Sequence, residues 1–419
     1  MTALHGAEEK LSALDFTSGL LTKTHLDLPL LLDEIVRVTT ETMHARACAI
    51  RLLDKRSGEM VLKASSGLSE EYLHTHPLTA ASSIFRQFAA GNHEPIAVMD
   101  IAKDPRTDYV REAAGEGAHS FLSAPLVQDG EAIGTLSMFT PGPHDFTPDE
   151  QRLFSTMANQ ASVAISLARL YKEQLALRQI EHELEIAAGI QRKLMPENAP
   201  SIPPFDIAGA CHPCYEIGGD FFDFIELPGG NLGIVEGDVS GKGVPAALLM
   251  ATIRSALRVQ AENIFSMQDV LQKVNRAVWE DTNPEEFVTL FYGVLDTQAG
   301  VLTYINAGHN PGLLVRDGTV TQLPPVNPPI GILPDLLPEQ ETLEFLEGDV
   351  LAICTDGYSD TEGTDGEPLG EEGVAETLRR NADLSAEAII EKLEETVEAF
   401  EADPTAAYCD DRTAIVAKR

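Results

Sequence analysis

The stretch "EGDVSGKGVPAALLMA", residues 236–251, follows the apolar run "LGIV" and leads into a helical pattern. It supports two incompatible readings. Its glycines and lysine imitate a phosphate-cradling loop, whereas its aspartate, Asp238, stands where a strand ends. The phosphate-loop template is G-x-x-x-x-G-K-[ST]. Here three residues separate Gly237 from Gly241, and Lys242 is followed by Gly243 instead of a magnesium-binding hydroxyl. The nucleotide reading therefore fails on spacing and on chemistry. What remains is a carboxylate held by backbone at the end of an apolar strand.

Other aspartates occupy the same kind of position. Asp220 follows a double glycine in "EIGGDFFDF", Asp356 closes "VLAICTD" ahead of Gly357, and Asp410 and Asp411 precede the strand pattern "RTAIVAK". Each apolar run would bury its neighbours and leave the acid at a rim. Taken singly, such an aspartate is most simply a turn residue or cap. Several carboxylates without Cys or His suit hard cations such as Mg²⁺ or Mn²⁺. Two such ions about 3.5–4 Å apart can clamp a phosphate and acidify water, which makes phosphoester hydrolysis the natural chemistry.

The bulk numbers bound this reading. The 419 residues suggest two or three domains, and a 43% hydrophobic composition allows sizeable cores. A formal charge of −36 repels phosphate backbones, so nucleic-acid binding is not expected. No stretch approaches the roughly 18 consecutive apolar residues of a membrane span, and "MTALHGAEEKLSALDF" lacks the pattern of a secretory signal. The expectation is a soluble, cytoplasmic protein without a membrane partner. Five scattered cysteines fit a reduced compartment. Cys211 and Cys214 of "CHPC" lack the second pair that a zinc site needs and read as small residues near a strand end.

Three zones follow along the chain. In residues 1–168, "LDLPLLLDEIVRVTTETMHA" has helical periodicity, hairpins turn at Ser57-Gly58 and Asp129-Gly130, and "FTPDEQRLF" opens a helix with Thr147 as N-cap and Pro148 at the first helical position. Residues 169–198 read as a linker helix. With Leu170, Leu177 and Leu184 at a and Ile180, Ala187 and Leu194 at d, it forms a partial heptad seam that Glu173 and Gln191 break. The expectation is a signalling helix that pairs across a homodimer. Residues 199–419 contain many strand patterns, a hairpin turn at Asp317-Gly318 and helical runs near 243–264, 266–282 and 385–401. That pattern suggests stacked, mainly antiparallel sheets flanked by helices.

Two resemblances attach to these zones. The first zone, through "SAPL", "GEAIGTLSM" and "FTPDEQRLFSTMANQASVAI", resembles a GAF domain, an α/β sensor fold with an unknown small-molecule or protein input. His74, His76 and His93 are its candidate metal or haem ligands, and lone surface histidines are the simpler reading. The third zone, through "EIGGDFFDF", "GDVSGKGVPAALLMA", "NAGHNPGLLV", "CTDGYSD" and "DDRTAIV" in that order, resembles the bacterial PPM-type Ser/Thr phosphatases of the SpoIIE/RsbU branch. The preceding "IAAGIQRKLMP" resembles the regulatory helix that enters the phosphatase domain in this branch.

The second resemblance implies residue roles. Asp238 would bridge two Mn²⁺ or Mg²⁺ ions, Asp356 and Asp410 would complete the first site, and Asp220 with the Val239 carbonyl would serve the second. His309 and Asn310 would be supportive, and Lys242 and Gly243 would shape the loop. Phe221, Phe222, Gly312 and Asp360 depart from the family pattern without removing an expected ligand. The implied function is a protein serine/threonine phosphatase under GAF control, acting on a phosphorylated STAS-type anti-sigma-factor antagonist in a partner-switching pathway. The alternative is a catalytically weak or inactive module that binds a phosphoprotein.

Overall fold

The computed structural model describes residues 27–69, 78–79, 83–106, 115–264, 266–283, 285–401 and 410–419. The chain divides into two compact units, Met1–Gln179 and Ile180–Arg419.

In the first unit, helix α1 (Leu28–Thr42) begins where Asp27 accepts a hydrogen bond from the Leu30 amide and Pro29 occupies the first turn. Strands β1 (Ala47–Leu53), β2 (Glu59–Ser66) and β3 (Leu78–Thr79) precede helix α2 (Ser83–Ala89) and strand β4 (Ile96–Val98). Strands β5 (Ser120–Gln128) and β6 (Glu131–Thr140) follow, and the sheet order is β3-β2-β1-β6-β5-β4. Both expected hairpins form. At the β5–β6 turn Asp129 and Gly130 have φ of 52° and 81°, the double positive φ that a two-residue turn of right-handed twist requires.

The closing helix α3 runs unbroken from Pro148 to Leu194, so the expected linker helix is its continuation rather than a separate element. A capping box starts it: the Thr147 hydroxyl accepts from the Glu150 amide, and the Glu150 carboxylate accepts from the Thr147 amide. Its first half buries Phe154, Met157, Ala161 and Ile165 in the unit's core with Leu31, Ile35 and Leu136. Helix α3 ends at Leu194, two residues before Pro196.

The second unit contains two five-stranded antiparallel sheets. Strands β7 (Asp206–His212), β8 (Phe221–Leu227) and β9 (Asn231–Val239) come first, then helices α4 (Val244–Asn263) and α5 (Met267–Asp281). Strands β10 (Val288–Asp296), β11 (Val301–Ala307), β12 (Gly312–Arg316), β13 (Thr319–Leu323), β14 (Glu341–Glu344) and β15 (Val350–Cys354) follow. Helices α6 (Asp356–Ser359), α7 (Gly370–Asn381) and α8 (Ala386–Phe400) precede the last strand, β16 (Arg412–Lys418). One sheet has the order β14-β11-β10-β9-β8 and the other β13-β12-β15-β16-β7.

Three apolar layers hold this unit together. Phe222, Phe224, Ile234, Phe291, Leu351 and Ile415 fill the space between the sheets. Met250, Ile253, Leu257, Leu271 and Val274 seat α4 and α5 on the first sheet, and Leu378, Ile389, Ile390 and Leu393 seat α7 and α8 on the second. The stacked-sheet expectation thus holds. Strand β14 and helix α7 are additions: "ETLE" is short and polar, and "GEEGVAETLRRN" carries its apolar face on only Val374, Ala375 and Leu378.

Candidate active site

The ladders bring the acids together. Strands β8 and β9 are antiparallel with Phe221 opposite Gly237, so the start of β8, with Asp220, lies beside the end of β9, with Asp238. Strands β15 and β16 are antiparallel with Cys354 opposite Ala414, so Asp356, just past β15, lies beside Asp410 and Asp411, just ahead of β16. The two edges meet at one end of the sandwich. There the Thr355 hydroxyl donates to Asp220 Oδ2 at 2.8 Å and accepts from the Thr413 amide at 2.9 Å.

This proximity raises the proton affinity of the acids. Asp238 is pushed up to about 7 by burial and by the carboxylates of Asp356, Asp410 and Asp411. Asp356 is pushed up to about 6 by burial, Asp410 and Asp360, with Lys242 opposing. Asp220, only 3% exposed, is held well above the carboxylate range by burial, then by Asp238 and Asp411.

The backbone around these acids explains the glycines of the opening motifs. The Asp411 carboxylate accepts from the amides of Cys214 (2.8 Å), Gly219 (2.7 Å) and Asp220 (3.3 Å). A Cβ on Gly218 would collide with that carboxylate, and one on Gly357 would collide with the Asp411 carbonyl. Next to Gly219 lies the Val239 carbonyl. Gly243, at φ 74°, precedes the first turn of α4. Lys242 does more than shape the loop: its Nζ stands 3.0 Å from Asp410 Oδ2.

Beneath the rim, His309 is 2% exposed, and its Nδ1 is 2.8 Å from Thr289 Oγ1. Thr289 is the cross-strand partner of Asp238. On its other side, His309 Nε2 lies 3.4 Å from Glu236, which is fully buried and pushed well up by burial and by Asp220. Burial drives the imidazole down to about 3, so it is neutral. The Asn310 contribution is its carbonyl, which accepts from Asn306.

Residues 228–419 match the family model described as Stage II sporulation protein E, and residues 25–166 match the GAF domain model. This chain joins a GAF domain to a SpoIIE-family domain. Phosphoserine phosphatase RsbU of Bacillus subtilis is 29% identical over 220 residues, covering 51% of this chain and 65% of that protein. Phosphoserine phosphatase RsbP of the same organism is 28% identical over 185 residues, covering 43% of this chain and 46% of that protein. The chain thus spans less than two thirds of each of these relatives. The SiaA-PP2C domain of Pseudomonas aeruginosa shares the fold at TM-score 0.52 and 22% identity, over 58% of this chain and 98% of that one.

In the SpoIIE-family domain, a group of buried and half-buried carboxylates with raised proton affinity is the donor set that a hard divalent cation relieves. Among the described residues no three acids, histidines or cysteines already surround one point as a bound ion requires. There Thr355 engages Asp220, and Lys242 engages Asp410. The sequence reading missed Asp411 as an organiser, Thr355, Glu236 and Gln191. It also passed over Asp223 of "GDFFDF", which is 1% exposed and paired with Arg254 at 3.0 Å and Arg258 at 3.3 Å.

Cys211 is a free thiol pushed up to about 12 by burial, whereas Cys214 is in a disulfide, contrary to the expectation of reduced cysteines. The two "CHPC" cysteines therefore do not act as a pair. In the GAF domain His93 is exposed, and His74 and His76 lie outside the described residues. No helix among the described residues is long and apolar enough to cross a membrane.

Proposed function

We propose that this chain is a Mn²⁺- or Mg²⁺-dependent protein phosphatase that removes phosphate from phosphoserine or phosphothreonine. The observation that carries the reading is the convergence of Asp220, Asp238, Asp356 and Asp410 at one end of the sandwich, with Asp238 raised to about 7 by burial and by its carboxylate neighbours. The names of RsbU and RsbP, both phosphoserine phosphatases, support the substrate chemistry. Asp238 would lie between two ions, Asp356 and Asp410 on one side, Asp220 and the Val239 carbonyl on the other. Bound there, two divalent cations would supply Lewis-acid stabilisation of the phosphoryl oxygens and water of lowered pKa.

The chain's own groups do the positioning. Thr355 and Asp411 fix Asp220 from opposite sides, its carboxylate and its backbone respectively. The neutral His309 holds Thr289, and through it the strand that carries Asp238. Lys242 places an ammonium beside Asp410 at the rim, where an incoming phosphate would meet it. In this reading the substrate is a phosphorylated STAS-type anti-sigma-factor antagonist, the setting is cytoplasmic partner switching, the GAF domain receives the input, and helix α3 pairs two copies.

The test is phosphate release from a phosphoprotein with Mn²⁺ or Mg²⁺, comparing wild type with Asp238→Asn. Loss of turnover in the variant with its fold retained is the expected outcome. Normal turnover would sink the two-metal mechanism, and a wild-type protein that binds the phosphoprotein without hydrolysing it would favour the binding-module alternative.

A further inference from the structure

Helix α8 carries five glutamates, and one of them turns inward. Glu387, Glu391, Glu395 and Glu398 are exposed, whereas the Glu394 side chain is 16% exposed and follows the buried Leu393. Its carboxylate is where three other elements meet. Oε1 accepts from the Tyr358 hydroxyl of α6, and His212 Nε2, at the end of β7, stands 3.8 Å from the same oxygen. Oε2 lies 3.3 Å from Arg412 Nε at the start of β16, an approach of charges rather than a directed hydrogen bond. Tyr358 is fully buried, so its phenol needs a polar partner inside the protein. Burial and the Glu394 charge hold the phenol proton well above its usual range, so the hydroxyl stays a donor.

Tyr358 and Arg412 each stand next to the site. Tyr358 is two residues after Asp356, and Arg412 is two residues after Asp410. The ladder between β15 and β16 closes with Cys354 opposite Ala414 and with the Thr355 amide on the Thr413 carbonyl at 3.0 Å, so both aspartates lie beyond it. Helix α6 is a single turn of four residues, and Thr355 gives it no side-chain cap. The Thr355 hydroxyl is committed to Asp220 and to the Thr413 amide instead. Helix α8 is firmly seated by Ile389, Ile390, Leu393 and Val397, so a carboxylate on it can tie the two ends together. The Asp220 side has separate restraints. Asp411 accepts from the Gly219 and Asp220 amides, and the Gln191 carboxamide bonds the Gly218 carbonyl at 2.7 Å and the Gly218 amide at 3.2 Å.

Resting on the metal reading above, we propose that Glu394 is a positioning residue. One oxygen holds Tyr358 and the other faces Arg412, so a single carboxylate sets the separation of Asp356 and Asp410 and thereby how tightly that side takes a divalent cation. Its negative charge is needed as well as its shape, because without it the Arg412 guanidinium loses its counter-charge at a mostly buried position. Loss of the carboxylate frees the α6 turn and the start of β16 to drift apart. The Asp220 side, held by Thr355 and Asp411, is spared.

The experiment compares wild type with Glu394→Gln, which keeps the shape and removes the charge, with Tyr358→Phe, which removes only the hydroxyl, and with the double variant. Glu391→Gln, exposed on the same helix, is the control. Mn²⁺ binding is read by calorimetry. Exchange of the Asp360 amide, which bonds the Asp356 carbonyl at 2.7 Å, is read in the chelated protein. Glu394→Gln should weaken roughly tenfold the Mn²⁺ association that Asp356→Asn abolishes, the scale of a lost hydrogen bond to a charged group. The association that Asp220→Asn abolishes should be unchanged. Asp360 exchange should be faster in both single variants, and the double variant should bind no more weakly than Glu394→Gln, because both changes break one connection. The control should match wild type. If Glu394→Gln does not fold, Tyr358→Phe carries the same comparison. Full Mn²⁺ affinity in both single variants would overturn this inference alone, as would equal weakening of both associations, which a merely structural role would produce. A wild-type protein without Mn²⁺ affinity would overturn the metal reading as well.

Discussion

Asp238 and Asp356 hold their protons unusually tightly, up to about 7 and about 6, because each carboxylate sits among others in a partly dry site. In an unfolded chain both titrate near about 3.9. Between those values the folded state binds more protons than the unfolded state, so stability falls as pH rises. The stabilising proton is fully present below about pH 4 and is lost as pH passes about 7. Chelated protein should therefore melt several degrees higher at about pH 5 than at about pH 8, an effect on the scale of a few kcal/mol. Excess Mn²⁺ should remove the difference, and Asp238→Asn should flatten the slope. Melting curves across that range check this, and a chelated protein whose melting temperature climbs towards pH 8 would contradict it. The four rim aspartates were legible in the sequence because each borders an apolar run that forms a strand. Gln191, Thr355 and Glu236 were not, because their meaning lies in partners far along the chain: Thr355 and Asp220 are 135 residues apart.

At the scale of elements, helix α4 is pinned to β8 by a buried ion pair. Asp223 is 1% exposed and Arg254 10% at the side chain, so removing the acid strands a guanidinium in the interior. Asp223→Ala should cost about 3–5 kcal/mol, measured by denaturant unfolding. Replacing both partners, as in Asp223→Leu with Arg254→Met, should recover most of that loss, because the apolar pair leaves no uncompensated charge. A double variant as unstable as the single one would show that the pair's geometry, not its desolvation, governs the cost. The pattern in "FFDFIEL" predicts the strand but cannot reveal this pair, since Arg254 comes from a different element.

Helix α3 shows a second limit of periodicity. Nothing between Ala168 and Leu170 breaks the helix, yet the face that must be covered changes there. Upstream, Phe154, Met157, Ala161 and Ile165 are in the GAF core, whereas Leu170, Leu177 and Ile180 are 58%, 60% and 54% exposed. Further along, Gln191 serves the second unit. The heptad seam is therefore available only in part for pairing two copies. Leu177→Glu should shift a dimer to monomers in sedimentation velocity and change activity, and Leu184→Glu, at a half-buried position, should act more weakly on assembly. A wild-type protein that sediments as a monomer at working concentration, with activity indifferent to both changes, would refute pairing through this helix.

Over the whole molecule the acidic excess becomes a kinetic quantity. A formal charge of −36 surrounds a site proposed to receive a phosphorylated protein, and a phosphoryl group brings about −1.5 to −2 at neutral pH. Bound cations act over a few ångströms, but the approach is governed by the long-range field, which salt screens over about 10 Å at 0.1 M. Unlike the usual steered encounter, this one is opposed by like charge. For a phosphopeptide without basic residues, kcat/KM should therefore rise several-fold between about 0.02 M and about 0.3 M KCl, with kcat nearly constant. Initial rates at fixed Mn²⁺ measure this directly. A fall in kcat/KM with salt would mean that Lys242 and its neighbours dominate the approach, and the substrate would then be selected by a local positive rim in spite of the molecule's overall charge.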